Sequence, residues 1–159
     1  RFDVGLSETT QAPTGVTLKP LLQVNEVAVL PAGHRLCHKA VLTPSDFANE
    51  RFVSLAEGDP YRAAIDAMFA HAGVQRRAWL ETTSAVAVCA MVQQGLGVAI
   101  VNPLTAAAMA GPSLVVRPLT VAIPFSVSLL LPEVAAAHPL RNEMVAALTL
   151  GCQTLVSNQ

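Results

Sequence analysis

The chain has 159 residues, of which 52% are apolar and 13% charged, and its net charge is −1. That length and balance describe one globular domain, or two small lobes, with ample core, and they exclude intrinsic disorder. Arg76-Arg77 is the only adjacent basic pair and aromatic residues make up 4%, so the chain carries neither an electrostatic footprint for a duplex nor a base-stacking platform.

In chain order, Phe2 to Leu6 is a short apolar run that fits the end of a buried strand, and Ser7 to Gly15 is polar and turn-rich. Glu26 to Leu30 predicts a second strand, stopped by Pro31-Ala-Gly33, and Phe52 to Leu55 a third. Asp59 is a natural N-cap and Pro60 fits the first position of a helix, where its missing N–H costs nothing. Ile65, Met68, Phe69 and Ala72 then recur on one helical face, and Gly73 closes the helix as a left-handed cap. Ala78 to Glu81 is a fourth strand. Thr82, Thr83 and Ser84 open a helix running to about Gln94 that is apolar nearly all round, which predicts cover on both its sides. Gly95 ends it, and Val98 to Val101 is a buried strand. Asn102-Pro103 repeats the cap-plus-proline signature for a short helix over Leu104 to Ala110, followed by strands at Leu114 to Leu119 and Phe125 to Leu131. A last helix is expected from Pro139, with Leu140, Met144, Leu148 and Leu155 along one stripe. Strand and helix alternate, which predicts an α/β fold with a mainly parallel sheet.

The most hydrophobic window, Ala85 to Val101, is interrupted by Gln93-Gln94, Gly95 and Gly97, so it reads as helix, turn and strand and not as a membrane span. The chain opens at Arg1 with no initiator methionine and no signal-peptide pattern. Cys37, Cys89 and Cys152 lie far apart, which fits a reducing compartment. Cys89 and Cys152 sit in apolar stretches, where a thiol acts as a small hydrophobe. His34, Cys37 and His38 fall close together, but a fourth ligand is missing and the segment reads as a loop, so no metal site and no cofactor is expected. His71 and His138 read as exposed helix-end residues. Nucleophile-elbow, phosphate-loop, zinc-protease and dinucleotide motifs are all lacking, and Gly95-x-Gly97 lies between helix and strand, the wrong order for a dinucleotide site. An enzyme is therefore not expected.

Glu81-Thr-Thr-Ser84 and Asn102-Pro-Leu-Thr105 each feed a strand end straight into a helix N-terminus. In open α/β sheets, ligands bind outside the carboxyl ends of strands. A helix N-terminus there offers free N–H groups and the positive end of its dipole, and hydroxyls beside it make a seat for a carboxylate. The same Ser84 and Asn102 also read as ordinary caps. Glu8, after the first strand, can face a ligand ammonium or be a solvated loop acid. Asp59 and Arg62, at i and i+3 on the first turn of their helix, read as a cap and a surface ion pair of little energy.

Taken together, Asp3-Val-Gly-Leu6, Val27-x-Val-x-Pro31-x-Gly-His-x-Leu36, Val53-Ser-Leu55, Arg62, Ile65-Asp66 and Phe69-x-x-x-Gly73 resemble the effector domain of LysR-type transcription regulators. The string from Glu81 to Ala106, with Asn102-Pro-Leu-Thr105 at its end, resembles the subgroup that senses amino acids and opines. Val115 to Leu119 and the Val127 to Pro132 strand extend the likeness over nearly the whole chain. The resemblance implies two Rossmann-like lobes of the type 2 periplasmic-binding-protein kind, with an effector held between them. Lobe two would span residues 21–119. Lobe one would be built from residues 1–20 and 120–159, incomplete in this chain, and the N-terminal winged helix-turn-helix would be absent from it. The implied effector-binding residues are Thr82, Thr83 and Ser84 in lobe two and Ser7 and Glu8 in lobe one, with Pro103 and Thr105 near the cleft. The implied partners are a small carboxylate-bearing effector, a second copy in a homodimer or homotetramer, and DNA through the missing module only, in the cytoplasm and without a membrane. The helix at Pro60 to Ala72 and the one from Pro139 are the implied dimer faces. A periplasmic solute-binding protein would share the fold but carry a signal peptide.

Overall fold

The computed structural model describes residues 2–133 and 138–157 and resolves them into two compact units, residues 1–24 with 124–159, and residues 25–123. The units meet at Val24/Asn25 and Ile123/Pro124 in the chain.

The larger unit is a five-stranded sheet. Its strands are β3 (Val27–Pro31), β4 (Arg51–Leu55), β5 (Arg77–Thr82), β6 (Ala99–Val101) and β7 (Leu114–Arg117). β4 and β5 pair in parallel, and β3 lies between β6 and β7, antiparallel to both. Two backbone bonds of 2.9 Å, Val53 N–H to Val98 C=O and Val98 N–H to Arg51 C=O, join β4 to β6 in parallel. The strand order is therefore β5-β4-β6-β3-β7. The expected mainly parallel sheet is corrected to a mixed one. Hydrophobic periodicity shows which residues are buried but not which way a strand runs, and β3 runs against both neighbours.

Side chains alternate across this sheet into two cores. Ala28, Leu30, Phe52, Val98 and Ile100 face one cluster with Ile65, Met68 and Phe69. Val29, Val53, Leu55, Ala99 and Val101 face another with Val88, Cys89, Val92 and Ala106. Burial on both faces explains why β3 and β6 read as unbroken apolar runs. On the first face, Phe47, Phe52 and Phe69 meet edge to face at centroid distances of 5.6–6.0 Å. That geometry suits the ring quadrupoles.

α1 (Pro60–His71) starts on Asp59, whose carboxylate accepts from the Tyr61 and Arg62 amides. It stops at Gly73, where φ is 65°, with Gly73 N–H to Ala70 C=O and Val74 N–H to Phe69 C=O closing a Schellman cap. α2 (Ala85–Gln93) ends the same way over Gly95. α3 (Pro103–Met109) is the short helix capped by Asn102. The expectation that α2 is covered on both sides is corrected: Val88, Cys89 and Val92 are buried, but Val86 is 54% exposed and Ala90 lies open. Cys89 is fully buried, and Cys152 only half so. The segment after β3, read as a loop, winds a 3-10 turn over Arg35–His38 capped by His34. A second turn, Pro44–Phe47, carries a Thr43/Asp46 capping box.

The smaller unit holds the sheet β1-β8-β2, made of β1 (Gly5–Ser7), β8 (Pro124–Pro132) and β2 (Val16–Asn25), with β1 antiparallel to β8. β2 was not expected, because Lys19-Pro20 breaks its pattern; β1 starts later than the Phe2 expected for it. α4 (Arg141–Ser157) begins after a turn at Pro139-Leu140 instead of at Pro139. Of its expected stripe, Leu140 and Met144 are more than half exposed, Leu148 is half-buried, and the Leu155 side chain lies outside the described residues. An open groove of about 560 Å³ runs between β1 and α4, lined by Val4, Leu6, Met144 and Leu148 among others. Among the described residues, no helix is long and apolar enough to cross a membrane.

Candidate functional site

Three parallel strands of the larger unit, β5, β4 and β6, end at one edge of its sheet, and each feeds a helix there: α2, α1 and α3 in turn. The sequence-predicted residues Thr82, Thr83 and Ser84 close β5 and open α2, while Pro103 and Thr105 lie in the first turn of α3. The fold therefore brings these five to a common edge.

Their local chemistry is hydroxyl-rich and polar. The Thr82 hydroxyl accepts from the Ser84 amide at 3.4 Å, and the Ser84 hydroxyl accepts from the Ala87 amide at 3.3 Å. A serine hydroxyl has two acceptor lone pairs and one donor hydrogen. Ser84 can therefore cap α2 and still donate to a ligand, so the cap and the ligand readings do not compete. The amides of Ala85 and Val86, first in the helix, have no intrahelical carbonyl ahead of them. Thr83 is exposed. On α3, Asn102 Oδ1 accepts from the Thr105 amide at 2.8 Å; Thr105 is half-buried, and the buried Pro103 shapes the helix start.

Ser7 and Glu8 belong to the smaller unit. Ser7 ends β1, its hydroxyl accepting from the Thr9 amide at 3.1 Å, and Glu8 is exposed beyond it.

The structure corrects the reading of Arg62. It does not form an outward pair with Asp59. Its guanidinium donates to Leu55 C=O at 2.6 Å, to Glu81 at 2.8 Å and to Asp66 at 2.8 Å, with the side chain 12% exposed. Burial works against its charge, but the hydrogen bonds and negative charges of Glu81 and Asp66 prevail and hold its proton more firmly than usual. Asp66 in turn pairs with Arg76, which donates to Ser54 at 2.9 Å and stacks over Phe52. There burial dominates and lowers the Arg76 pKa despite Asp66. The i, i+4 spacing of Arg62 and Asp66 was the signal that could have shown part of this network.

Sequence reasoning also passed over Glu26. It is 2% exposed immediately before β3, and the pairing of Val27 with Val101 brings it to the Asn102 edge. The His34, Cys37 and His38 cluster resolves into other contacts: His34 bonds Glu50 at 3.3 Å, His38 the Arg35 carbonyl, and Cys37 the Pro31 carbonyl. Among the described residues, no group of three or more His, Cys, Asp or Glu could hold a metal.

Comparison with known proteins adds to this geometry. A family profile described as "LysR substrate binding domain" matches residues 1–152. The chain is 44% identical over 158 residues to the transcriptional activator protein LysR of Escherichia coli (strain K12), covering 99% of this chain and 51% of that protein. It is 29% identical over 147 residues to the regulatory protein NocR of Agrobacterium tumefaciens (strain T37), covering 92% and 49%. The chain thus spans about half the length of the curated relatives it matches, both of them named as regulators. The regulatory domain of CcmR from Synechocystis PCC6803, solved in complex with 2-PG, superposes with a TM-score of 0.74 at 17% identity, over 94% of this chain and 73% of that one.

Proposed function

The chain belongs to the LysR substrate binding domain family, and from that premise we propose that it is the effector-sensing part of a transcription regulator that takes a small carboxylate-bearing molecule, an amino acid or opine, at the Thr82–Ser84 edge. One observation carries the reading: three hydroxyl residues sit where β5 ends and α2 begins, with the first amides and the positive dipole end of α2 beside them. A carboxylate placed there meets N–H and O–H donors at once. Pro103 and Thr105 flank the seat on the neighbouring helix.

Ser7 and Glu8 complete the proposed effector set from the smaller unit, Glu8 as partner to an effector amine. The two units are proposed as the two lobes of the sensing domain, and an effector acts by binding one state of the regulator more tightly than another. The regulator would act in the cytoplasm as a homodimer or homotetramer and reach DNA through a module outside this chain. Likeness to regulators such as LysR and NocR supports this over a solute carrier of similar fold.

Titration calorimetry on the intact regulator tests the seat, with L-lysine, its decarboxylated counterpart cadaverine, and a panel of other amino acids and opines. A bound amino acid should lose most of its affinity with its carboxylate. The Ser84→Ala variant should bind about tenfold to a hundredfold more weakly, the worth of one hydrogen bond to a charged group. Unchanged affinity in that variant would remove Ser84 from the site.

A further inference from the structure

Resting on the reading of Thr82–Ser84 as the effector seat, we infer that Arg62 is the positioning residue that holds this seat in register through Glu81. One guanidinium joins the ends of two adjacent strands. It donates to the carbonyl of Leu55, the last residue of β4, and to the carboxylate of Glu81, the residue immediately before Thr82. Leu55 pairs with Thr82 across the same two strands, and the Ala56 amide donates to Thr82 C=O at 3.0 Å. The exit of β5 is therefore tied to β4 by backbone on one side and by Arg62 on the other. Asp66 fixes the guanidinium from behind at 2.8 Å, and is itself held by Arg76.

The asymmetry of exposure says which group orders which. Arg62 is 12% exposed, while Glu81 is 42% exposed. A buried, forked donor already held by Leu55 C=O and Asp66 is immobile, and the more exposed Glu81 is what it captures. β5 is an edge strand, bonded to β4 alone in its sheet, so its last residues have few other restraints. A planar fork with donors in fixed directions suits this task; a lysine ammonium, a single point charge, would not hold a carbonyl and two carboxylates together.

The test combines amide hydrogen exchange with binding, using the intact regulator and the variants Arg62→Gln, Arg62→Lys and Glu81→Gln. Glu81→Gln removes the charge pair at a half-exposed position, so it keeps the question open if Arg62→Gln fails to fold. The amides of Ser84 and Ala87, which donate to the Thr82 and Ser84 hydroxyls, should exchange about tenfold faster in Arg62→Gln and Glu81→Gln, with those of β3 unchanged and Arg62→Lys in between. Affinity for L-lysine, or for whichever amino acid of the panel the wild type binds, should fall by about tenfold in the same order. Exchange at Ser84 and Ala87 that stays at the wild-type rate in Glu81→Gln would overturn the inference. Faster exchange with unaltered affinity would also overturn it, since the segment would then be ordered for stability alone. If the wild type binds neither an amino acid nor an opine, the seat itself is refuted and the inference falls with it, while the exchange arm still reports what Arg62 orders.

Discussion

Replacing Gly97 with alanine would place a methyl carbon 2.5 Å from the carbonyl oxygen of Arg51, 3.1 Å from its carbonyl carbon and 3.3 Å from Cγ2 of Val53. The first two are backbone atoms of β4, so no side chain can swing away to make room. Gly97 sits beside the two 2.9 Å bonds that join β4 to β6, and the strands must part there to admit the methyl. Overpacking of this kind costs about 1–3 kcal/mol, and each ladder bond lost adds about 1 kcal/mol. A total of about 2–4 kcal/mol corresponds to a melting temperature lower by about 10–20 °C for a unit of this size. Two other glycines serve as internal references. Gly95 has φ of 75° with nothing within 4 Å, so Gly95→Ala pays only for its left-handed backbone, about 1–2 kcal/mol. Gly111 has open space and no positive φ, so Gly111→Ala should be neutral or stabilising by up to about 1 kcal/mol. Thermal unfolding followed by circular dichroism should rank them Gly111, Gly95, Gly97 in order of increasing loss. If Gly97→Ala melts with Gly111→Ala, the β4–β6 seam is not the tight contact argued here.

Asp46 supplies a pH dependence. Burial pushes its carboxyl up, but hydrogen bonds from Lys39 and from the Thr43 amide and hydroxyl outweigh this and bring its pKa below the ordinary 3.8. A depressed folded value means stabilisation that is complete above 3.8 and lost as pH falls from there through the folded pKa. Asp46→Asn should therefore lower the urea midpoint at pH 7 and flatten its fall below that point; parallel curves for the two proteins would contradict it. Cys89, with its thiol pushed up to about 11 by burial, should resist alkylation in the native state. At pH 8 its thiolate fraction is roughly one in a thousand, against about a quarter for an ordinary thiol. Peptide mass spectrometry after brief iodoacetamide treatment should find Cys37 modified and Cys89 intact until denaturant is added. Equal labelling of the two would mean that the α2 core opens readily.

Local chemistry was legible in the sequence wherever one residue type answers one local need. Asp59-Pro60 and Asn102-Pro103 mark helix starts because a carboxylate or amide oxygen caps the following amides and proline needs no N–H partner. Gly73 and Gly95 mark helix ends because the chain must turn through positive φ there. The same logic placed Thr82 to Ser84 at a strand end that opens a helix. Strand direction was not legible: β3 and β6 carry the same apolar run whether parallel or antiparallel, and only the Val27–Val101 register decides it. Nor was β2, whose Lys19-Pro20 breaks the alternation that would have marked it, nor the open outer side of α2, since an all-apolar helix does not say what covers it. Arg62 shows the limit most clearly. On the helix it lies one turn from Asp59, but its guanidinium reaches Leu55 and Glu81, seven residues before it and nineteen after it in the chain. Contacts of that range are set by the packing of α1 against β4 and β5, and so by tertiary structure alone.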